Sequence, residues 1–317
     1  MTSTINRLLL ATDFSSWAQR AEEYACSLTA SWRAHLTVVT VLEFPPGLNP
    51  DYPVNQQYLT DRMKEASAQL TDFKSRAGRR GIVAATRIAT GIPSEEVNAA
   101  AQAEESDLIV MGTRGKTGLA HVLLGSTAER VIRTAPCPVL AVHMAKDEAP
   151  VERGVRLERV LVPVDFSDCS LDALEYAAMV AGQAKASIEL LHVPEPVSYG
   201  LDFTLSHPEE REQKRERLTA RLQALSSALA ASGLTVAHHL RGGVPADSIL
   251  DEARTLPCDL IVMGTHGRRG LSYVMAGSVA ESVLRRTSCP VLTVRSPKFK
   301  PGHRRVVPRS AVPGMNP

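Results

Sequence analysis

Met111-Gly112-Thr113-Arg114-Gly115 is followed, nine residues on, by Gly125-Ser126. The same figure returns as Met263-Gly264-Thr265-His266-Gly267, with nine residues before Gly277-Ser278. Each copy follows an apolar run, Asp107-Leu108-Ile109-Val110 or Asp259-Leu260-Ile261-Val262, and leads into a helical pattern that opens at Ser126 or Ser278. A buried strand, a glycine turn and a helix start form the place where an α/β fold can hold a phosphate. Glycine lets the backbone approach the anion, and the unpaired N–H groups of the helix point at it.

The two copies lie 152 residues apart, and the same offset relates the other landmarks. Asp13-Phe14-Ser15 returns as Asp165-Phe166-Ser167, Tyr24-Ala25 as Tyr176-Ala177, Gly91 with Pro93 as Gly243 with Pro245, and Cys137-Pro138-Val139-Leu140 as Cys289-Pro290-Val291-Leu292. A constant offset means no net insertion between landmarks, so the chain is a duplicated domain. The expected boundaries are residues 1–150 and 151–296, with a charged linker from Lys146 to Gly154 and a tail, 297–317, that is basic and expected to be disordered. The tail carries Lys298, Lys300, Arg304, Arg305 and Arg309 and no acid, a composition that fits a solubilising tail better than a nucleic-acid contact.

Strand and helix patterns alternate through both halves. In the first, strands are expected at Arg7–Thr12, His35–Leu42, Ile82–Ala89, Asp107–Met111 and Pro138–His143. In the second they are expected at Arg159–Val164, Ser187–Val193, Leu234–Leu240, Cys258–Met263 and Pro290–Arg295. Ser15 and Ser16 are cap candidates for a helix running to about Ala30, and Asn55–Arg80 has a polar helical pattern. The stretch Phe44–Pro53 carries four prolines and is expected to be an irregular loop. This alternation implies an α/β fold of two duplicated, doubly wound, five-stranded parallel-sheet domains of Rossmann-like form. Right-handed crossovers bring Asp13 and Gly112 to one carboxyl edge, where such sheets bind ligands.

At 317 residues the chain is long enough for two cores. A net charge of +2 argues neither for nor against nucleic acid, but an aromatic content of 4% gives little material for base-stacking surfaces, so nucleic acid is disfavoured as a partner. No apolar run reaches membrane-spanning length, and the N-terminus lacks a signal peptide's layout. The five cysteines are odd in number and have no CxxC spacing, which points to a reduced, cytoplasmic setting.

The pattern G-x2-G-x9-G-[ST], with an Asp at the end of the first strand, resembles the universal stress protein family, and its tandem arrangement is similar to the two-domain members. The resemblance covers residues 5–296 and implies a Rossmann-like fold of the adenine nucleotide alpha hydrolase-like type. It also implies ATP as ligand, with Mg as an accompanying ion. By position it points to Asp13, Val41, Gly112, Arg114, Gly115, Gly125 and Ser126 in the first repeat. In the second it points to Asp165, Val193, Gly264, His266, Gly267, Gly277 and Ser278. It further implies a stress-response module that reads ATP occupancy, with an unknown protein partner, pairing of the two domains along their fifth strands, and homo-oligomers. A nucleotide-independent interaction protein and a slow ATPase or phosphotransferase are the alternatives.

The residues themselves leave several readings open. The glycines can serve a tight turn alone, as Gly118 and Gly270 suggest. Asp13 and Asp165 can cap a helix or accept ligand hydrogen bonds. Lys116, Arg268, Arg269 and Arg114 can supply positive charge near a polyphosphate, as point charges or forks, or form an exposed basic loop. Ser126 and Ser278 suit a cap or a phosphate ligand better than a nucleophile, since no His-Asp partner follows. Cys137 and Cys289 read as small buried apolar residues.

Overall fold

The computed structural model describes residues 4–43, 53–115, 124–143, 154–194, 208–266 and 277–295. The first repeat runs β1 (Arg7–Ala11), α1 (Gln19–Trp32), β2 (His35–Leu42), α2 (Pro53–Gly78), β3 (Ala84–Thr90), α3 (Pro93–Ala103), β4 (Leu108–Gly112), α4 (Ser126–Thr134) and β5 (Val139–Val142). The second runs β6 (Arg159–Pro163), α5 (Asp168–Ala184), β7 (Ser187–His192), α6 (Pro208–Ala231), β8 (Val236–Leu240), α7 (Pro245–Thr255), β9 (Leu260–Gly264), α8 (Ser278–Arg286) and β10 (Val291–Val294). Contacts divide the chain into two compact units: one holds residues 5–156 with 290–293, the other 157–289 with 294 onward and the first four residues.

In the first repeat the strand order is β3-β2-β1-β4-β5, and every neighbouring pair within it is parallel. The second follows the same order, β8-β7-β6-β9-β10. Strand order reverses between β1 and β4, and between β6 and β9, and that reversal opens a crevice at the carboxyl edge. The inner strands are covered on both faces. Leu9, Leu10, Ile109 and Val110 are fully buried, as are Leu161, Ile188, Leu190 and Ile261. This is why they read as unbroken apolar runs rather than alternating ones.

All ten expected strands are present, and their ends shift by a residue or two. The loop expected from Phe44 loses its last residue, because Pro53 opens α2, where its missing N–H costs nothing; residues 44–52 lie outside those described. The linker up to residue 153 and the tail also lie outside them. Ser15 does not cap α1. The chain first makes a turn, with Ala18 N donating to Ser15 O at 3.0 Å, and the helix starts at Gln19 without a side-chain cap. In the second repeat Ser167 does cap α5, its hydroxyl accepting from Ser170 N at 3.2 Å.

Beneath the end of β1 the first repeat buries a polar chain. Thr12 Oγ1 accepts from Phe14 N (3.0 Å) and donates to Glu22 Oε1 (2.9 Å), while the Arg76 guanidinium lies 3.2 Å from Glu22 Oε2. In the second repeat Val164 and Leu174 hold the places of Thr12 and Glu22. Burial pushes the Glu22 carboxyl above its usual value, and the Thr12 hydrogen bond and the Arg76 charge offset only part of this. A raised carboxyl means that the folded chain still holds a proton which the unfolded chain has released. Stability therefore falls as pH rises from the ordinary carboxylate value toward the folded one. Glu22→Gln should flatten this decline in a melting-temperature profile taken upward from about pH 4.5. Parallel profiles for the two proteins would show that Glu22 titrates alike in both states.

Candidate functional site

The first cradle is built where β1 and β4 end side by side, Ala11 opposite Met111 in register. Past β1 the backbone turns sharply at Phe14, whose φ of 58° lies in the left-handed region. Asp13 Oδ1 accepts from Ser15 N at 3.0 Å, an Asx turn that holds the carboxylate in place. The other oxygen faces the glycine turn: a Cβ on Gly115 would stand 2.9 Å from Asp13 Oδ2. The acid that ends β1 and the turn that ends β4 thus meet, and only glycine leaves room between them.

Gly112 and Gly125 press the same turn from both sides. A Cβ on Gly112 would lie 3.2 Å from Trp17 O and 3.5 Å from Ala18 Cα. One on Gly125 would lie 3.3 Å from Thr113 O. Gly125 N donates to Thr113 O at 2.7 Å and leads into α4, which has no side-chain cap. Ser126, the first residue of that helix, is exposed. The start of α4, with N–H groups that no side chain caps and the partial positive charge of a helix end, thus follows directly on the turn that Gly115 shares with Asp13. Arg114 stacks its guanidinium over the Trp17 ring, 4.8 Å from the centroid. Val41 is half-buried in β2 opposite Ala89, next to the strand's end.

The second repeat repeats the backbone plan with different side chains. Phe166 takes the left-handed turn at φ 61°, and Asp165 Oδ1 accepts from both the backbone N and the hydroxyl of Ser167. A Cβ on Gly264 would stand 2.8 Å from Cys169 Sγ and 3.0 Å from that residue's carbonyl. Gly277 N donates to Thr265 O at 2.6 Å and opens α8, again without a side-chain cap and with Ser278 exposed. His266 is held by its own neighbour, Nδ1 lying 2.8 Å from Thr265 Oγ1. Val193 is half-buried just past β7. Under this loop the Phe166 ring packs on His192 at 4.7 Å, with the Arg221 guanidinium 3.9 Å from the ring centre and His192 Nδ1 at 2.7 Å from Val164 O.

In the first repeat the structure gathers Asp13, Gly112, Arg114, Gly115 and Gly125 around one turn. In the second it gathers Gly264, His266 and Gly277 around the corresponding turn, with Asp165 at the end of the neighbouring strand. Gly267, with Lys116, Gly118, Arg268, Arg269 and Gly270, lies outside the described residues. Trp17 is the residue that sequence reasoning missed. Its counterpart is Cys169, so comparing the repeats could not reveal it.

Other chemistry finds little footing among the described residues. No group of three or more His, Cys, Asp or Glu side chains is arranged to hold a metal ion. The five cysteines are free thiols, and burial pushes Cys26 up to about 11 and Cys258 up to about 12, so neither is a ready thiolate at neutral pH. Cys137 is buried as expected, whereas Cys289, at the equivalent turn before β10, is only half-buried, with Sγ 3.3 Å from Cys258 O. No described helix is long and apolar enough to cross a membrane.

A sequence model of the universal stress protein family matches residues 4–143 and again residues 156–295. A universal stress protein of Methanocaldococcus jannaschii is 34% identical over 143 residues, which cover 45% of this chain and 84% of that protein. One from Mycobacterium tuberculosis is 29% identical over 200 residues, 60% of this chain and 62% of that protein, so the match spans less than two thirds of its length. The crystal structure of a universal stress protein from Archaeoglobus fulgidus aligns with a TM-score of 0.68 at 25% identity, covering 92% of this chain and 97% of that one.

Proposed function

This chain belongs to the universal stress protein family, and on that premise we propose that it is a stress-response module that binds ATP in the cradle of one or both repeats. The observation that carries the reading is the meeting of Asp13 and Gly115. An acid fixed by an Asx turn lies against a glycine whose Cβ would stand 2.9 Å from it, beside an uncapped helix start. A turn needed for shape alone has no use for an acid on one side and open N–H groups on the other. A nucleotide uses both: the carboxylate accepts from ribose or amine donors, and the N–H groups and the Ser126 hydroxyl receive phosphate oxygens. A Mg ion would arrive with the polyphosphate and keep most of its waters, because it is commonly held by phosphates and one or two carboxylates rather than by a protein cage.

ATP occupancy would order the glycine turns and bias a surface that a protein partner or a second copy reads, provided the two states differ in affinity for the nucleotide. Pairing of the domains along their fifth strands and a cytoplasmic setting belong to the same proposal. Calorimetric titration of ATP with magnesium into nucleotide-stripped protein tests it. A stoichiometry near two assigns both cradles and a value near one assigns a single cradle. At ~100 times the dissociation constant the bound state should gain about 2.7 kcal/mol, visible as a thermal shift. Absence of both heat and shift would leave a scaffold whose function resides in its surfaces.

A further inference from the structure

We propose that Trp17 is a positioning residue that holds the Arg114 guanidinium ready for the phosphate end of a nucleoside polyphosphate in the first repeat. The inference rests on the nucleotide reading above and deepens it, because it names the group that tells a polyphosphate from a bare nucleoside.

Three observations converge on this pair. The Arg114 guanidinium stacks on the Trp17 ring at 4.8 Å, and no carboxylate or hydrogen-bond acceptor among the described residues takes any of its N–H groups. The Trp17 backbone lies close against the turn, its carbonyl 3.2 Å from where a Gly112 Cβ would be. The delayed start of α1 allows that approach: α1 begins at Gln19, whereas α5 begins at Asp168, three residues earlier in the equivalent frame. Residues 16–18 therefore form a turn that carries the indole to the cradle. In the second repeat Cys169 lies inside α5 with Sγ 3.4 Å from Val294 O, and His266 is tied to Thr265.

The physical consequence is preorganisation. A free arginine gives up rotamer freedom when it grips a phosphate. One already lying flat on an aromatic face has given up part of it, while no acceptor among the described residues occupies its planar fork, which suits two parallel N–H···O bonds. The stack also leaves the charge undiminished, as a carboxylate partner would not.

The test is titration of ATP, and of adenosine by competition, into the full chain carrying Ser278→Glu, which sets a negative charge at the start of α8 to keep phosphate from the second cradle. Trp17→Ala should weaken ATP roughly three- to fivefold, the size of an exposed cation–π contact, and leave adenosine unchanged. Trp17→Phe should keep most of the ATP affinity. Arg114→Ala should lose at least as much as Trp17→Ala, and the double variant no more than Arg114→Ala alone. Unchanged ATP affinity in Trp17→Ala alongside a loss in Arg114→Ala would overturn the positioning role, and so would equal losses for ATP and adenosine. A Ser278→Glu chain that binds neither ligand while the unsubstituted chain binds ATP would overturn this inference alone, and an unsubstituted chain that binds neither would remove the nucleotide reading and this inference with it.

Discussion

Gly264→Val is expected to destabilise the second repeat whether or not a ligand is present. A Cβ at this position would stand 2.8 Å from Cys169 Sγ and 3.0 Å from both the carbonyl carbon and the carbonyl oxygen of Cys169. Two of these three obstacles are backbone atoms of α5, a helix whose residues Leu174, Ala177 and Ala181 are fully buried against the sheet. The side chain could rotate away, but the helix backbone cannot move without lifting that face. Overpacking of this kind costs about 1–3 kcal/mol or more, which corresponds to several degrees of melting temperature for a domain of this size. Differential scanning calorimetry of the full chain would show it. Adding Cys169→Ala removes the sulfur but not the carbonyl, so it should restore only part of the loss. An unchanged melting temperature for Gly264→Val would mean that β9 and α5 have slack at this point.

Gly115→Val, in the same figure of the first repeat, should do the opposite. Its Cβ would stand 2.9 Å from Asp13 Oδ2 and 3.9 Å from Asp13 Cγ, and among the described residues no backbone atom comes within 4 Å. The end of a side chain can swing aside, so stability should change by no more than about 0.5 kcal/mol. The swing takes the carboxylate out of the Asx turn with Ser15 N and out of the cradle. ATP affinity at the first repeat should fall at least roughly tenfold, since a buried ligand donor left without its charged acceptor costs about 1.5–3 kcal/mol. Titration of Gly115→Val against the parent chain, with circular dichroism to confirm the fold, separates the two effects. Undiminished ATP affinity in a folded Gly115→Val protein would place the nucleotide elsewhere or nowhere.

Much of this was legible in the residues because it is local or periodic. The 152-residue offset exposed the duplication, since related copies keep their register wherever the backbone must do the same thing. The runs Leu108-Ile109-Val110 and Leu260-Ile261-Val262 announced strands buried on both faces, and every one of the ten strands expected was found. The meeting of Asp13 with the glycine turn followed from topology alone, because parallel strands with right-handed crossovers place their carboxyl ends on one edge. The family resemblance rested on the same figure.

What only the tertiary structure decided involves partners far apart in the chain or present in one repeat and not the other. Ser15 and Ser167 stand at equivalent positions, yet only Ser167 caps its helix. The outcome depends on the course of the next three residues, which carry Trp17 in one repeat and Cys169 in the other. Glu22 carries no signal in the sequence, but folding buries it to 4% exposure against Thr12 and sets Arg76, 54 residues away, beside it. Trp17 and Arg114 are neighbours only because β1 and β4 are. Periodicity and spacing report what a backbone repeats, so the sequence by itself determined the strands of both repeats and the glycine turns that follow β4 and β9. Desolvation, stacking and ion pairing depend on which side chains the finished fold brings within a few ångströms of one another, and those contacts are what make the two cradles unlike.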